Sequence, residues 1–297
     1  MKRHKESSSG KIRIGVTGFS SVIGKKVSTY AGERGLSVSF LGRSSSQPDF
    51  RFFDLGSDID DEIFRDLTAV IHLAWDWADR GRKRTGCNIK AGSQLANLSL
   101  KHGVRPVLLS TMSTLHRDVS MYGEDKFILE ERFIEANGIV IRAGLVWGGE
   151  QCAGIVRQLH RMANFPIFAP YLRSTTQLHC SHIDELAQWL LEACSATWSR
   201  SSRVNGASVT TYELNEILGA MRRKSLGIPF LVPSGLITKI VKRVEQSRIP
   251  LPISSDSLAL LRSHKLSLFD DGSEWLPGFG AEGFLEWARS IDTTAQS

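Results

Sequence analysis

Tyr122 and Lys126 stand four residues apart in the run Met121-Tyr-Gly-Glu-Asp-Lys-Phe-Ile-Leu-Glu-Glu, a spacing that on a helix puts both side chains on one face. A phenol titrates near pH ~10 in isolation, so it becomes a useful acid or base near neutrality when a neighbouring ammonium stabilises its phenolate. Lys126 is placed for that role. Taken alone, the spacing equally describes a solvated helix face, and the elements that would position it must decide.

The chain has 297 residues, 41% hydrophobic and 23% charged, a composition that buries a full core in one large domain or two smaller ones. No apolar run reaches the ~18 residues of a membrane span. The polar opening Met-Lys-Arg-His-Lys-Glu-Ser-Ser-Ser-Gly is unlike a secretory signal and reads as a disordered tail over residues 1–10. Cys87, Cys152, Cys180 and Cys194 have neither C-x-x-C spacing nor partner histidines at zinc intervals, so no metal site is expected and buried thiols in a reducing cytoplasm are. The net charge of +6 admits an anionic partner, but no nucleic-acid reading module is visible, and a phosphate-bearing small molecule fits equally well. Basic residues cluster only at Lys2 to Lys5, Arg80 to Arg84 and Lys239 to Arg243. The amphipathic stretch 235–244 reads as a surface helix packing its apolar side inward, without stable membrane insertion.

Short apolar runs at 11–16, 36–41, 50–53, 69–73, 106–109 and 139–142 alternate with helix-length segments at 22–34, 60–66, 83–101 and 121–137. This rhythm predicts parallel strands with right-handed crossovers, an α/β doubly wound sheet of Rossmann type. After Gly149 the prolines at 166, 170, 229, 233, 250, 252 and 277 break the chain into a smaller, irregular lobe, with helices at 183–193 and 211–221. The expected division is a dinucleotide-binding domain over 11–165 and a substrate-binding lobe over 166–297, interleaved with the first at the sheet edge.

The first strand runs into Thr17-Gly-Phe-Ser-Ser-Val-Ile-Gly and a helix. Gly18 allows a tight turn, Gly24 lets the helix pack on the strand, and a pyrophosphate would sit at the helix amino terminus on Ser20, Ser21, Val22 and Ile23. Ser21 replaces the middle glycine of the expected pattern and would offer its N–H or hydroxyl to phosphate. After the second strand stands Gly42-Arg-Ser-Ser instead of an acidic residue. A carboxylate repels a 2′-phosphate and Arg43 pairs with it, so NADP(H) is favoured over NAD(H). Asp54 and Leu55 are placed for the adenine edge, and Leu73, Ala74 and Trp75 would pass beneath the cofactor.

With these pieces in order, the chain resembles an extended short-chain dehydrogenase/reductase of the NAD-dependent epimerase/dehydratase group over roughly residues 11–290. The markers are the Thr17 loop, Phe53-Asp-Leu, Val70-Ile-His-Leu-Ala, Leu109-Ser-Thr, Tyr122-Gly-Glu-Asp-Lys, Arg142-Ala-Gly-Leu-Val-Trp-Gly and His182-Ile-Asp-Glu-Leu-Ala. The resemblance implies that Thr111, with Ser110 beside it, hydrogen-bonds the substrate oxygen and that Tyr122 is the general acid or base. It implies that Lys126 binds the nicotinamide ribose and lowers the Tyr122 pKa. It also implies a homodimer through the helices at 83–101 and 121–137. Asn88 is read as a structural residue.

Departures from the family pattern bear on the substrate. Only ten residues, 112–121, separate Thr111 from Tyr122, which trims one side of the pocket. Leu145 stands where a substrate-binding Asn is usual, against a standard UDP-sugar 4-epimerase, and Met112 and Ser113 replace the acid–base pair of the dehydratases. Gln177 and His179 are expected to face the cleft, with His182 buttressing the fold and Asp184 capping the next helix. Trp75, Trp77 and Trp147 are candidates for pocket walls. The expected activity is an NADP(H)-dependent reductase or epimerase acting on a carbonyl or secondary alcohol, most plausibly of a nucleotide-linked sugar. The rivals are a reductase of a non-sugar aldehyde or ketone and a non-catalytic NADP(H)-sensing protein.

Overall fold

The alternation of apolar runs and helix-length segments resolves into one parallel sheet. In the computed structural model, strand β1 (Arg13–Thr17) leads into helix α1 (Val22–Glu33), and strands β2 (Ser37–Gly42), β3 (Phe50–Phe52) and β4 (Ala69–His72) precede helix α2 (Cys87–Lys101). Strand β5 (Arg105–Thr111), helix α3 (Met121–Glu135) and strands β6 (Ile139–Ala143) and β7 (Leu145–Trp147) follow. Then come α4 (Gly154–Ala163), β8 (Phe168–Leu172), β9 (Gln177–His182), α5 (Ile183–Ala193), β10 (Arg203–Gly206) and β11 (Thr211–Glu213). The last are α6 (Leu214–Met221), β12 (Ile228–Val232), β13 (Glu274–Trp275) and α7 (Phe284–Ser290). The structure describes residues 12–44, 46–79, 85–116, 120–149, 154–164, 168–172, 176–222, 228–232 and 271–291. The expected tail, the basic clusters at 2–5, 80–84 and 239–243, the amphipathic stretch 235–244 and Cys152 lie outside them.

The large sheet has the order β13-β10-β6-β5-β4-β1-β2-β3 with every pair parallel. It is a doubly wound sheet whose order reverses between β1 and β4, the place where such sheets open a crevice beyond their carboxyl ends. Strands covered on both faces read as continuous apolar runs. Accordingly Ile14, Val16, Ala69, Val70, Ile71, Val140 and Ile141 are all fully buried. One face packs on α1 and α5 around Val27, Ala31, Leu186 and Leu190; the other packs on α2 and α3 around Ala91, Leu95, Leu129 and Phe133. A third cluster joins α4, α6 and α7 with Trp147 and Leu178.

Several boundaries differ from the sequence reading. The segment 60–66 is a single 3-10 turn, Asp61–Phe64. The helix expected from 211 starts at Leu214, because residues 211–213 form β11 antiparallel to β9 and Glu213 makes a reciprocal cap with Glu216. Asp184 does not cap α5: His182 holds the N-cap position, and Asp184 pairs with Lys26 of α1 at 2.8 Å. Helix α4 and strands β10 and β13 were not foreseen, and the last two bring the chain beyond residue 166 into the large sheet.

Helix α3 buries Gly123, Lys126, Leu129, Glu130 and Phe133 at helical spacing. Glu130, fully buried, accepts hydrogen bonds from Arg142 of β6 at 2.7 to 3.1 Å and from the Ser110 hydroxyl of β5 at 2.6 Å. Arg142 also pairs with Asp271 at 2.5 Å, and Arg203 of β10 reaches Glu130 at 3.1 Å. Burial works against the Arg142 charge, yet the carboxylates of Glu130 and Asp271 hold its pKa above the ordinary arginine value. Breaking a buried pair leaves an uncompensated charge. Arg142→Met is therefore expected to cost about 3 kcal/mol or more in urea denaturation. The double variant with Glu130→Gln should cost less, and equal losses would contradict the reading.

Candidate active site

Thr17, at the carboxyl end of β1, ties together the two loops that flank the crevice. Its Oγ1 accepts the amides of Leu73 and Ala74 at 3.1 Å each and lies 2.9 Å from His72 Nδ1. With those two amides donating, the hydroxyl gives its own proton to Nδ1, which leaves the His72 proton on Nε2. Burial, followed by the nearby Lys126 charge, lowers the His72 pKa to about 3, so the ring is neutral.

Gly18 follows with φ +65°, and a Cβ there would stand 2.8 Å from Ala74 N, so only glycine lets the first loop lie against the loop after β4. A Cβ on Gly24 would meet Gly18 O at 2.6 Å, which is the close helix–strand contact anticipated for that position. Ser21 takes φ −66° and ψ 162° as the N-cap of α1, accepting Gly24 N on its hydroxyl. Its own N–H goes to Gly18 O at 3.0 Å. The missing glycine therefore strains nothing, and Ser21 retains only its hydroxyl proton for a ligand. Ser20 is exposed at the turn, and the Val22 and Ile23 amides stand in the first turn of α1, where helix donors lack internal acceptors. This is an anion-binding arrangement. Arg43 is exposed just past β2; Asp54 receives the Ser57 hydroxyl, and Leu55 packs against the α2–α3 face.

Ser120 caps α3 by accepting Gly123 N at 3.1 Å, and Tyr122 and Lys126 follow on one side of the helix, which packs on β5. Lys126 is 4% exposed; its Nζ donates to Leu109 O at 3.0 Å and lies 4.4 Å from the centre of the Trp75 ring. Burial drives the Lys126 pKa down to about 7, while Glu130 one turn further on opposes the shift. Tyr122 is half-buried, with Trp75 edge-on at 5.2 Å and 89° and Trp77 at 5.2 Å and 32°. Thr111 donates its hydroxyl to Ser113 Oγ at 3.0 Å and accepts Ser113 N at 3.2 Å. Ser113 is thereby left with an uncommitted hydroxyl proton of its own. Ser110 turns the other way, into Glu130.

The remaining candidates separate from this group. Met112 and Leu145 are 6% and 7% exposed, and Leu145 belongs to the core of α4 and α6, so neither presents an open wall. Gln177 is taken up on both its amide atoms by Thr211 and Glu213, and His179 by Ser208 O at 2.8 Å with Trp275 against its ring. These contacts tie β9 to β11 and to the segment around β13. Trp147 packs on His182, Phe284 and Trp287 instead of lining a pocket. A hollow at the carboxyl end of β10, lined by Ser208, Tyr212, Leu276 and Phe279, includes none of Thr111, Tyr122 and Lys126.

Asn88, read as structural in the sequence, and Asp79, which the sequence reading did not single out, hold the tryptophan loop. Asn88 clamps the backbone of Asp76 with both amide atoms at 2.8 and 3.0 Å. Asp79 gathers the Thr85, Gly86 and Asn88 amides and the Cys87 thiol. Burial alone would raise the Asp79 carboxyl, but these bonds hold it at about 2. Cys87 is half-buried, while Cys180 and Cys194 are buried free thiols. Among the described residues no helix is long and apolar enough to cross a membrane, and no cluster of ligating side chains could hold a metal ion.

No family model and no curated protein sequence matches the chain. Solved structures do. A UDP-N-acetylglucosamine 4-epimerase from Bacillus cereus is 18% identical, covering 89% of this chain and 100% of that one with a TM-score of 0.58. A Thermus thermophilus UDP-glucose 4-epimerase, solved with NAD, is 18% identical over 87% of this chain and 100% of its own, TM-score 0.58. MoeE5, in complex with UDP-glucuronic acid and NAD, is 19% identical over 74% and 86%, TM-score 0.59.

The depressed Lys126 pKa has a consequence for stability. An unfolded lysine titrates near pH ~10.4, so between about 7 and that value the unfolded chain binds more protons and stability rises with pH. Below 7 both states are protonated, and the full cost of burying the ammonium is present. Lys126→Met should flatten this rise and be relatively more stable than the parent at pH 6 than at pH 9, as read from urea denaturation. Parallel pH dependences would refute the buried-ammonium account. On topology and on these structural likenesses, the chain has the doubly wound fold shared by these nucleotide-sugar enzymes.

Proposed function

We propose that the protein is an extended short-chain dehydrogenase/reductase, a nicotinamide-dependent reductase or epimerase acting on a carbonyl or secondary alcohol, with a nucleotide-linked sugar as substrate. The observation that carries this reading is the convergence of a phenol, a buried ammonium and a hydroxyl pair at the carboxyl end of β5, with a glycine turn and helix amino terminus at the carboxyl end of β1. The residues present fit the cofactor. The Gly18 turn leaves no side chain over the crevice, and the α1 amides with the Ser21 hydroxyl suit a pyrophosphate. When bound, the nicotinamide supplies a hydride donor or acceptor.

The chain's own part is proton handling and orientation. Tyr122 gives its proton to the substrate oxygen, or takes it in the reverse direction, while Thr111, hydrogen-bonded to Ser113, holds the same oxygen. Lys126 acts on Tyr122 through its charge. An ammonium beside a phenol favours the phenolate, and Lys126, its own pKa lowered to about 7 by burial, stands one turn from Tyr122. Trp75 lies against both and keeps their relative position. The same folding units support a cytoplasmic homodimer through α2 and α3, testable by sedimentation.

Tyr122→Phe should keep nucleotide binding, followed by protein-to-NADPH energy transfer, and lose roughly a hundredfold or more in turnover. Undiminished turnover would end this mechanism. Arg43, exposed where no carboxylate stands, supports NADP(H) over NAD(H). Arg43→Glu should weaken NADPH binding by roughly tenfold or more while sparing NADH; a parent protein that prefers NADH would overturn that assignment.

A further inference from the structure

The loop after β4 sets an indole in water beside the phenol. Trp77 is 52% exposed, and Met121, directly before Tyr122 in the chain, is 42% exposed. Trp77 is held there by a turn: Asp79 N donates to Asp76 O, and Ala78 N donates to Asp76 Oδ1 at 2.8 Å. Asn88 clamps Asp76 from α2. The backbone thus holds this side chain against Trp75 and Tyr122 with about half of it left in water.

We propose that Trp77 is the stacking face for the ring that carries the reacting oxygen, and that this ring is the hexose of a sugar nucleotide. The inference rests on the reading of Tyr122 as the proton donor. A substrate oxygen within hydrogen-bond reach of the Tyr122 hydroxyl brings the carbons beside it against the nearest wall. Two indoles stand 5.2 Å from the phenol centre: Trp75, edge-on and held against Lys126, and Trp77, tilted 32° and 52% exposed, which is the one open to a ligand. The negative face of an aromatic ring attracts the positive C–H edge that a pyranose presents. A uracil, lying at the far end of the molecule from the reacting carbon, does not reach it. An open-chain carbonyl offers no comparable flat face, so the indole favours the sugar over the non-sugar substrate.

The test compares UDP with UDP-glucose by calorimetric titration of the full chain, as the parent and as Trp77→Ala and Trp77→Phe. The parent should bind UDP-glucose more tightly than UDP. Trp77→Ala should cut that preference by roughly tenfold, an effect of the size expected for one aromatic contact, with UDP affinity and melting temperature unchanged. Trp77→Phe should retain most of it. An unaltered preference in Trp77→Ala overturns the proposal, and so does an equal loss for UDP and UDP-glucose, which would place the indole at the nucleotide. A parent that binds neither compound overturns both this inference and the sugar-nucleotide reading. The two fail separately: undiminished turnover in Tyr122→Phe overturns the proton-donor reading on which the inference rests, whereas an unaltered preference in Trp77→Ala overturns the stacking contact alone.

Discussion

The buried pair of Glu130 and Arg142 is the interaction on which the arrangement of the site depends. It joins α3 to β6, takes in the Ser110 hydroxyl from β5 and Arg203 from β10, and extends to Asp271 in the last described segment. Two charges removed from water are held because Glu130 accepts from Arg142 and Ser110 while Arg142 also reaches Asp271, and that set of bonds admits few alternative registers between the helix and the sheet. Tyr122 and Lys126 lie on the same helix, two turns and one turn before Glu130, so the pair at the sheet's end inherits its position from an ionic contact deeper in the molecule.

That position has an electrostatic cost which the site uses. Lys126 loses its hydration on burial and recovers one hydrogen bond from Leu109 O and the face of Trp75. The result is an ammonium poised near neutrality, more responsive to a nearby developing negative charge than a solvated lysine. His72 lies close enough to feel this charge but cannot share its proton, because Thr17 fills its Nδ1 and burial keeps it neutral. Lys126 and Glu130 thus stand one and two turns from Tyr122 on its own helix.

Periodicity carried much of this in the sequence. Continuous apolar runs marked the central strands, because strands buried on both faces have no polar side, and the two glycines at 18 and 24 marked a turn and a close contact that the backbone requires. The Tyr122–Lys126 spacing was legible because a helix repeats at 3.6 residues. Glu130 was not, since a glutamate in a charged helix ordinarily faces solvent, and only the distant Arg142 and Arg203 make its burial possible. Gln177 and His179 misled for a related reason: polar side chains on a strand are equally suited to a cleft and to bridging a neighbouring strand, and β11 lies too close in sequence to a helix to be recognised. Trp147 shows the same ambiguity for an aromatic residue at a strand end, resolved by packing against α7, which sequence proximity does not reveal.

The three-way junction at Thr17 makes the floor of the crevice stiff. One hydroxyl fastens the end of β1 to the start of the tryptophan loop, Gly18 leaves no room between them, and Asn88 fastens the far end of that loop to α2. Variation on this side of the molecule is constrained, since any change of shape must pass through one hydroxyl that holds three hydrogen bonds. The described elements after β7 that lie outside the large sheet take no part in that junction, so their shape can change while the floor of the crevice stays the same.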